Sequence, residues 1–89
     1  MVDIMIEPHK ITAHGHAKDD AGCAAVSAIL YALAGGLENM GYLVQWRIES
    51  GYAEISVPDS ADARALHLMA EAGLRQIAQA RDDVKITRE

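Results

Sequence analysis

The sequence predicts an α+β domain, a two-layer sandwich in which a mostly antiparallel sheet carries both helices on one face. Three observations predict it. Runs of alternating apolar and polar residues stand near both ends of the chain and in its middle, the mark of half-buried strands. Two long helical stretches separate these runs. The resulting order, ββαββαβ, gives each strand one apolar face and supplies two helices to cover it.

Val2, Ile4 and Ile6 alternate with Asp3, Met5 and Glu7 to make the first strand. Pro8-His9-Lys10 turns the chain, and Ile11 to His16 returns as a second strand paired with the first. Ala17 to Gly22 reads as a short polar loop. Cys23 to Met40 then reads as a helix apolar on nearly every side, so it needs cover from two directions. Gly35-Gly36 weakens its last turns and Gly41 stops it.

Tyr42 to Glu49 alternates again, with Val44, Trp46 and Ile48 on one face. Ser50-Gly51 is a hairpin turn, and Ala53, Ile55 and Val57 form the next strand, ended by Pro58. Asp59 is the expected cap of the second helix, with Asp62 in a first turn where the dipole favours a carboxylate. Leu66, Met69, Ala70, Gly73 and Ile77 are expected on its buried side, and Arg64, His67, Glu71 and Arg75 on a solvated one. Val84 and Ile86 suggest a last short strand.

The 89 residues suit a single domain over 1–89, with no repeats or linkers. Just over half are apolar (51%), but with no Phe and one Trp the core must be built from Ala, Leu, Ile, Val and Met. So small a domain buries a modest fraction of its surface, and association with a second copy is a natural supplement. The formal charge is -5 and the eight basic residues are scattered, which argues against a nucleic-acid partner. One cysteine excludes an internal disulfide and points to a reducing compartment. Met1-Val2-Asp3-Ile4 does not begin a secretory signal. The greasy run Cys23–Leu37 is too short to span a bilayer. The expectation is a cytoplasmic protein with no membrane partner.

The residues that suggest chemistry lie between Thr12 and Val26. Cys23 stands at the expected helix start, where unpaired N–H groups and the helix dipole favour a thiolate, the attacking form. Free N–H groups of Cys23 and Ala24 would hold the oxyanion formed on attack at a carbonyl. His16 ends the second strand, and the six-residue loop to Cys23 lets its imidazole come within reach as a general base. Asp20, three residues before the thiol, is placed to orient an imidazole or fix the loop. Strict alternation puts His14 and His16 on the strand face away from the helices, so Gly15 must break it if His16 is to meet Cys23.

Two other readings use the same residues. A lone cysteine among alanines on an apolar helix is often simple packing, in a dimeric module that binds without catalysis. His14, His16, Asp20 and Cys23 are also the kinds of ligand zinc accepts, although paired cysteines and a helical histidine pair are missing. No cofactor is called for by either the packing or the nucleophile reading.

Gly15-His16-Ala17 followed by Cys23-Ala24-Ala25-Val26-Ser27 resembles the paired signature of the ribosomal-processing cysteine protease family, Prp. About a dozen residues carry the resemblance tightly, while length and element order carry it loosely over the whole chain. It implies a cysteine endopeptidase, usually a homodimer, with a His-Cys dyad that processes a precursor protein. The precursors are an N-terminally extended ribosomal protein or, for phage relatives, a structural protein. By position it implies His16 as base and Cys23 as nucleophile. Asp20 then matches the family aspartate, and Ser27 the serine one turn past the cysteine. Two departures stand out. The loop is several residues shorter than the family's, with Lys18 for its glycine, and Ala21-Gly22 replaces Ile-Val. They point to a substrate other than the family's usual one, as in a phage or prophage copy, or to an inactive relative.

Overall fold

Alternation in the strands is what the structure uses to build its sheet. The computed structural model describes residues 1–89. In chain order the elements are β1 (Val2–Glu7), β2 (Lys10–Gly15), α1 (Asp20–Asn39), β3 (Trp46–Glu49), β4 (Tyr52–Ser56), α2 (Ala61–Ala80) and β5 (Val84–Arg88). The strand order across the sheet is β3-β4-β2-β1-β5. All neighbours are antiparallel except β1 and β5, which run parallel because α2 carries the chain back over the sheet. The predicted class and element order hold.

Register places one apolar row across the helix-covered face. Ile48 pairs with Ala53, Ala53 with Ala13, Ala13 with Ile4, and Ile4 with Ile86. The flanking isoleucines are bulky and the two central alanines are small, so the row sags in its middle. Both helices lie over this face. Val26, Leu30, Leu33 and Leu37 of α1 join Ala63, Ala70 and Leu74 of α2 and the inward strand residues in one core cluster. Each such large side chain, once buried, contributes about 1.5–3 kcal/mol relative to exposure.

Four expectations are corrected. First, α1 begins at Asp20, three residues before Cys23, because the Asp19 carboxylate accepts from Gly22 N and caps it. At 20 residues α1 has the length and apolar composition to cross a membrane, unlike the shorter run expected. Here its inward residues bury against the sheet. Second, Tyr42–Gln45 is not strand. Tyr42 N–H donates to Leu37 O, and its hydroxyl reaches Ser60 Oγ and the Asp62 carboxylate at the start of α2, which draws Tyr42 away from the sheet, while Gln45 O still accepts from Ser56 N–H of β4.

Third, the cap of α2 is Ser60, not Asp59, which instead pairs with Arg64. Fourth, α2 is rotated from the face read in the sequence. His67 and Glu71 are buried and Met69 is exposed. Glu71 is tolerated inside because Arg75 and Arg88 both bond to its carboxylate. Burial pushes this carboxyl up, and the two arginines outweigh it to leave it below its usual value. The His67 Nε2 has no hydrogen-bond partner, and burial lowers the affinity of this imidazole for a proton.

Candidate active site

The hollow above Ala13 and Ala53 opens at the N-terminal half of α1. It forms a groove of about 150 Å³ floored by those alanines with Val26, Leu30 and Ile48. His16, Cys23 and Ser27 all line it, as do Glu49, Ser50 and Gly51 of the β3–β4 turn. Three of the residues picked from the sequence therefore meet at one place.

His16 arrives there because Gly15 breaks the strand. Gly15 has φ of +100°, a conformation that favours glycine, and β2 ends at this residue. His14, still within β2, stays on the open face of the sheet with its ring edge-on to Tyr52. His16, two residues later, is released from alternation and enters the groove on the helix side. Its imidazole lies so close to the β3–β4 turn that a Cβ on Gly51 would stand 2.8 Å from its Nε2. Gly51 itself has φ of +78° in the two-residue turn the sequence predicted. The Met1 nitrogen donates to the His16 carbonyl at 2.8 Å and holds the backbone at this point.

Cys23 is a free, half-buried thiol. Its Sγ accepts a hydrogen bond from Ala17 N–H at 3.3 Å, so the loop after His16 turns a main-chain donor onto the sulfur. The expected oxyanion donors are corrected by the earlier helix start. Cys23 N–H already donates to Asp19 O at 3.4 Å, and Ala24 lies one residue deeper in α1. Asp20 is not brought to the groove: it is exposed in the first turn of α1, where its charge suits the helix dipole.

The aspartate that matters locally is its neighbour Asp19. Reading the sequence also missed Arg81 and Asp83, which reach this loop from the far end of α2. Lys18 N–H donates to Asp83 Oδ2 at 2.7 Å, and Arg81 bonds Asp83 and Asp19. The run Arg81-Asp82-Asp83 was visible as a charged segment, but nothing local tied it to residues more than sixty positions earlier. The zinc reading loses its geometry. His14 and His16 leave the strand on opposite sides, and no group of three or more His, Cys, Asp or Glu side chains comes together as a ligand set.

A thiol and an imidazole thus line one groove of an α+β architecture, a five-stranded sheet with both helices on one side. Solved structures share it over the full chain. The ribosomal processing protease Prp from S. aureus, in complex with a covalently linked product peptide, superposes with a TM-score of 0.84 at 19% identity, covering 100% of each chain. The same protease with a substrate peptide gives a TM-score of 0.82 at 16% identity, covering 99% of this chain and 97% of that one. A protein from Streptococcus mutans gives 0.77 at 18% identity, with 99% and 93% covered. At these identities the likeness is one of fold. No protein-family model and no curated protein sequence matches the chain.

Proposed function

We propose that this chain is a Prp-like cysteine endopeptidase acting on a precursor protein. The observation that carries the reading is that Gly15 turns His16 out of β2 into the groove that Cys23 lines. The likeness in fold to Prp, and the Gly15-His16-Ala17 and Cys23-Ala24-Ala25-Val26-Ser27 segments that resemble the family signature, support it.

In this reading the Cys23 thiol gives its proton to His16 as sulfur attacks the scissile carbonyl. A C–S bond forms while the carbonyl π pair moves to oxygen. Collapse of the tetrahedral intermediate breaks the C–N bond, and His16 returns the proton to the leaving amine. Water, deprotonated by His16, then attacks the thioester and releases the acid and the thiol. No hydrogen bond joins His16 to Cys23 in the resting structure, where Ala17 N–H holds the sulfur. Such bonds often tighten only in the substrate complex. Ser27, one turn past Cys23 on the same groove, is placed to contact substrate.

We also assign the protein to the cytoplasm, as the free thiol suggests, and to a homodimer. The exposed aromatic pair at the β3 edge, Tyr31 of α1 edge-on to Trp46 of β3, supports the second copy; sedimentation velocity checks it. The test of activity is to incubate the protein, and separately its Cys23→Ala variant, with the proteome of its host and to map new N-termini. New N-termini only with the wild type are expected. Identical N-termini in both samples would refute the peptidase.

A further inference from the structure

Five charged side chains lie on and around the loop that faces the cysteine, and the mechanism above uses none of them. Asp83 is 4% exposed, yet its carboxylate is fully engaged. Arg81 Nε and Nη2 donate to Asp83 Oδ1 and Oδ2 at 2.9 and 3.0 Å, a two-pronged pair. Asp83 Oδ2 also accepts Lys18 N–H, and Lys18 Nζ pairs with Asp82. The same Arg81 Nη2 bonds Asp19 Oδ1 at 2.9 Å, the atom that caps α1 through Gly22 N–H.

Gly22 makes this convergence possible. A Cβ there would stand 2.7 Å from the Arg81 guanidinium carbon and 2.6 Å from the Ala17 Cβ, both inside contact distance. The residue that departs from the family pattern just before the cysteine is thus the one whose missing side chain admits the arginine. The bonds from Arg81, and then from Lys18 N–H, hold the Asp83 carboxyl well below the usual carboxylate range, so the pair is charged at neutral pH.

We infer that Arg81 and Asp83 are positioning residues for Cys23. They clamp Lys18 and Asp19 so that the adjacent Ala17 N–H is held on the Cys23 sulfur. The short loop between β2 and α1 is thus fixed from below by an ion pair at the far end of α2. The catalytic consequence rests on the peptidase reading; the clamp itself does not.

The experiment is amide hydrogen exchange read residue by residue on the native protein, with Ile4 and Leu33 as core references. Ala17 N–H is expected to be protected in the wild type. In Arg81→Met its exchange accelerates by about two- to tenfold, the worth of one lost hydrogen bond, while Ile4 and Leu33 stay protected. Arg81→Lys, which keeps the charge facing Asp83, recovers part of that protection. Asp83→Asn covers the case in which Arg81→Met fails to fold. It keeps the size of the side chain and touches neither Ala17 nor Cys23, but removes the charge that holds Arg81, so the clamp predicts that Ala17 is deprotected while Ile4 and Leu33 are not. Unchanged Ala17 protection in folded Arg81→Met or Asp83→Asn overturns the inference. With a cleaved peptide in hand, the same variants lower kcat more than they raise KM. If no peptide is cut by the wild type, the peptidase reading fails while the exchange result still decides the clamp.

Discussion

Gly51→Ala tests how the β3–β4 turn seats His16 and whether His16 acts on Cys23. Two effects separate cleanly. Gly51 has φ of +78°, and placing a Cβ in left-handed backbone costs about 1–2 kcal/mol. For a domain of this size that lowers Tm by about 4–16 °C, taking about 4–8 °C per kcal/mol. The second effect is steric. The new Cβ stands 2.8 Å from His16 Nε2, while ordinary contact begins at 3.4 Å, so the exposed ring retreats by about 0.6 Å. A misplacement of about 1 Å near reacting groups costs about a hundredfold, so roughly tenfold is expected here. The assay is the iodoacetamide alkylation rate of Cys23 at neutral pH, with His16→Ala as the floor and thermal melts alongside. Gly51→Asn adds the same Cβ but tolerates left-handed backbone, so it regains most of the lost Tm and none of the lost reactivity. If both variants alkylate at the wild-type rate, His16 does not act on Cys23 from this position and the reasoning fails.

Other outcomes follow from the same geometry. Cys23 alkylates at neutral pH faster than free cysteine at matched pH, and His16→Ala slows it; reaction only after denaturation would mean a packing thiol. His67→Leu relieves a buried imidazole with an unpartnered Nε2, faced by Glu71, Arg88 and His9. Its folded proton affinity lies below the unfolded value, so the neutral ring's contribution is intact above about pH 6.5 and is lost as pH falls below it. The stability advantage of His67→Leu over wild type, read as urea midpoints, therefore grows from about pH 7.5 to about pH 5; an advantage independent of pH would show that this histidine is not the titrating group. Leu74→Ala empties a fully buried site and should lower stability by about 2–5 kcal/mol in urea melts, and a loss under about 1 kcal/mol would mean the helix layer closes over the gap.

Much of the fold was legible because its strands announce themselves. Val2, Ile4, Ile6, Ile11 and Ala13 alternate without interruption, and period two admits one face inward. What failed depended on partners distant in sequence. Tyr42 looked like the first residue of a strand, but its hydroxyl is spent on Ser60 and Asp62. His67 looked solvated because helical periodicity marks polar residues as outward, and the two arginines that make Glu71 acceptable inside come from α2 and β5. At the site, the residue types of the thiol and imidazole were readable, and so was the need for Gly15 to break alternation. The donor on the sulfur was not readable, since a backbone N–H leaves no trace in residue identity. Asp20 stood out by its place in a motif, and only the direction of the Asp19 side chain shows that its neighbour caps the helix.

The pairing of β1 with β5 has a consequence in time. Val2 aligns with Val84, and Arg81 reaches back 62 residues to Asp19, so the strand and the clamp join nearly opposite ends of the chain. During synthesis the thiol emerges long before the residues that order the loop beside it. The β1–β2 hairpin and α1 can form early, since their contacts are local. The segment facing Cys23 acquires its bonds to Arg81 and Asp83 only after α2 has crossed the sheet. Assembly order alone thus makes the neighbourhood of the Cys23 thiol one of the last parts of the domain to be set.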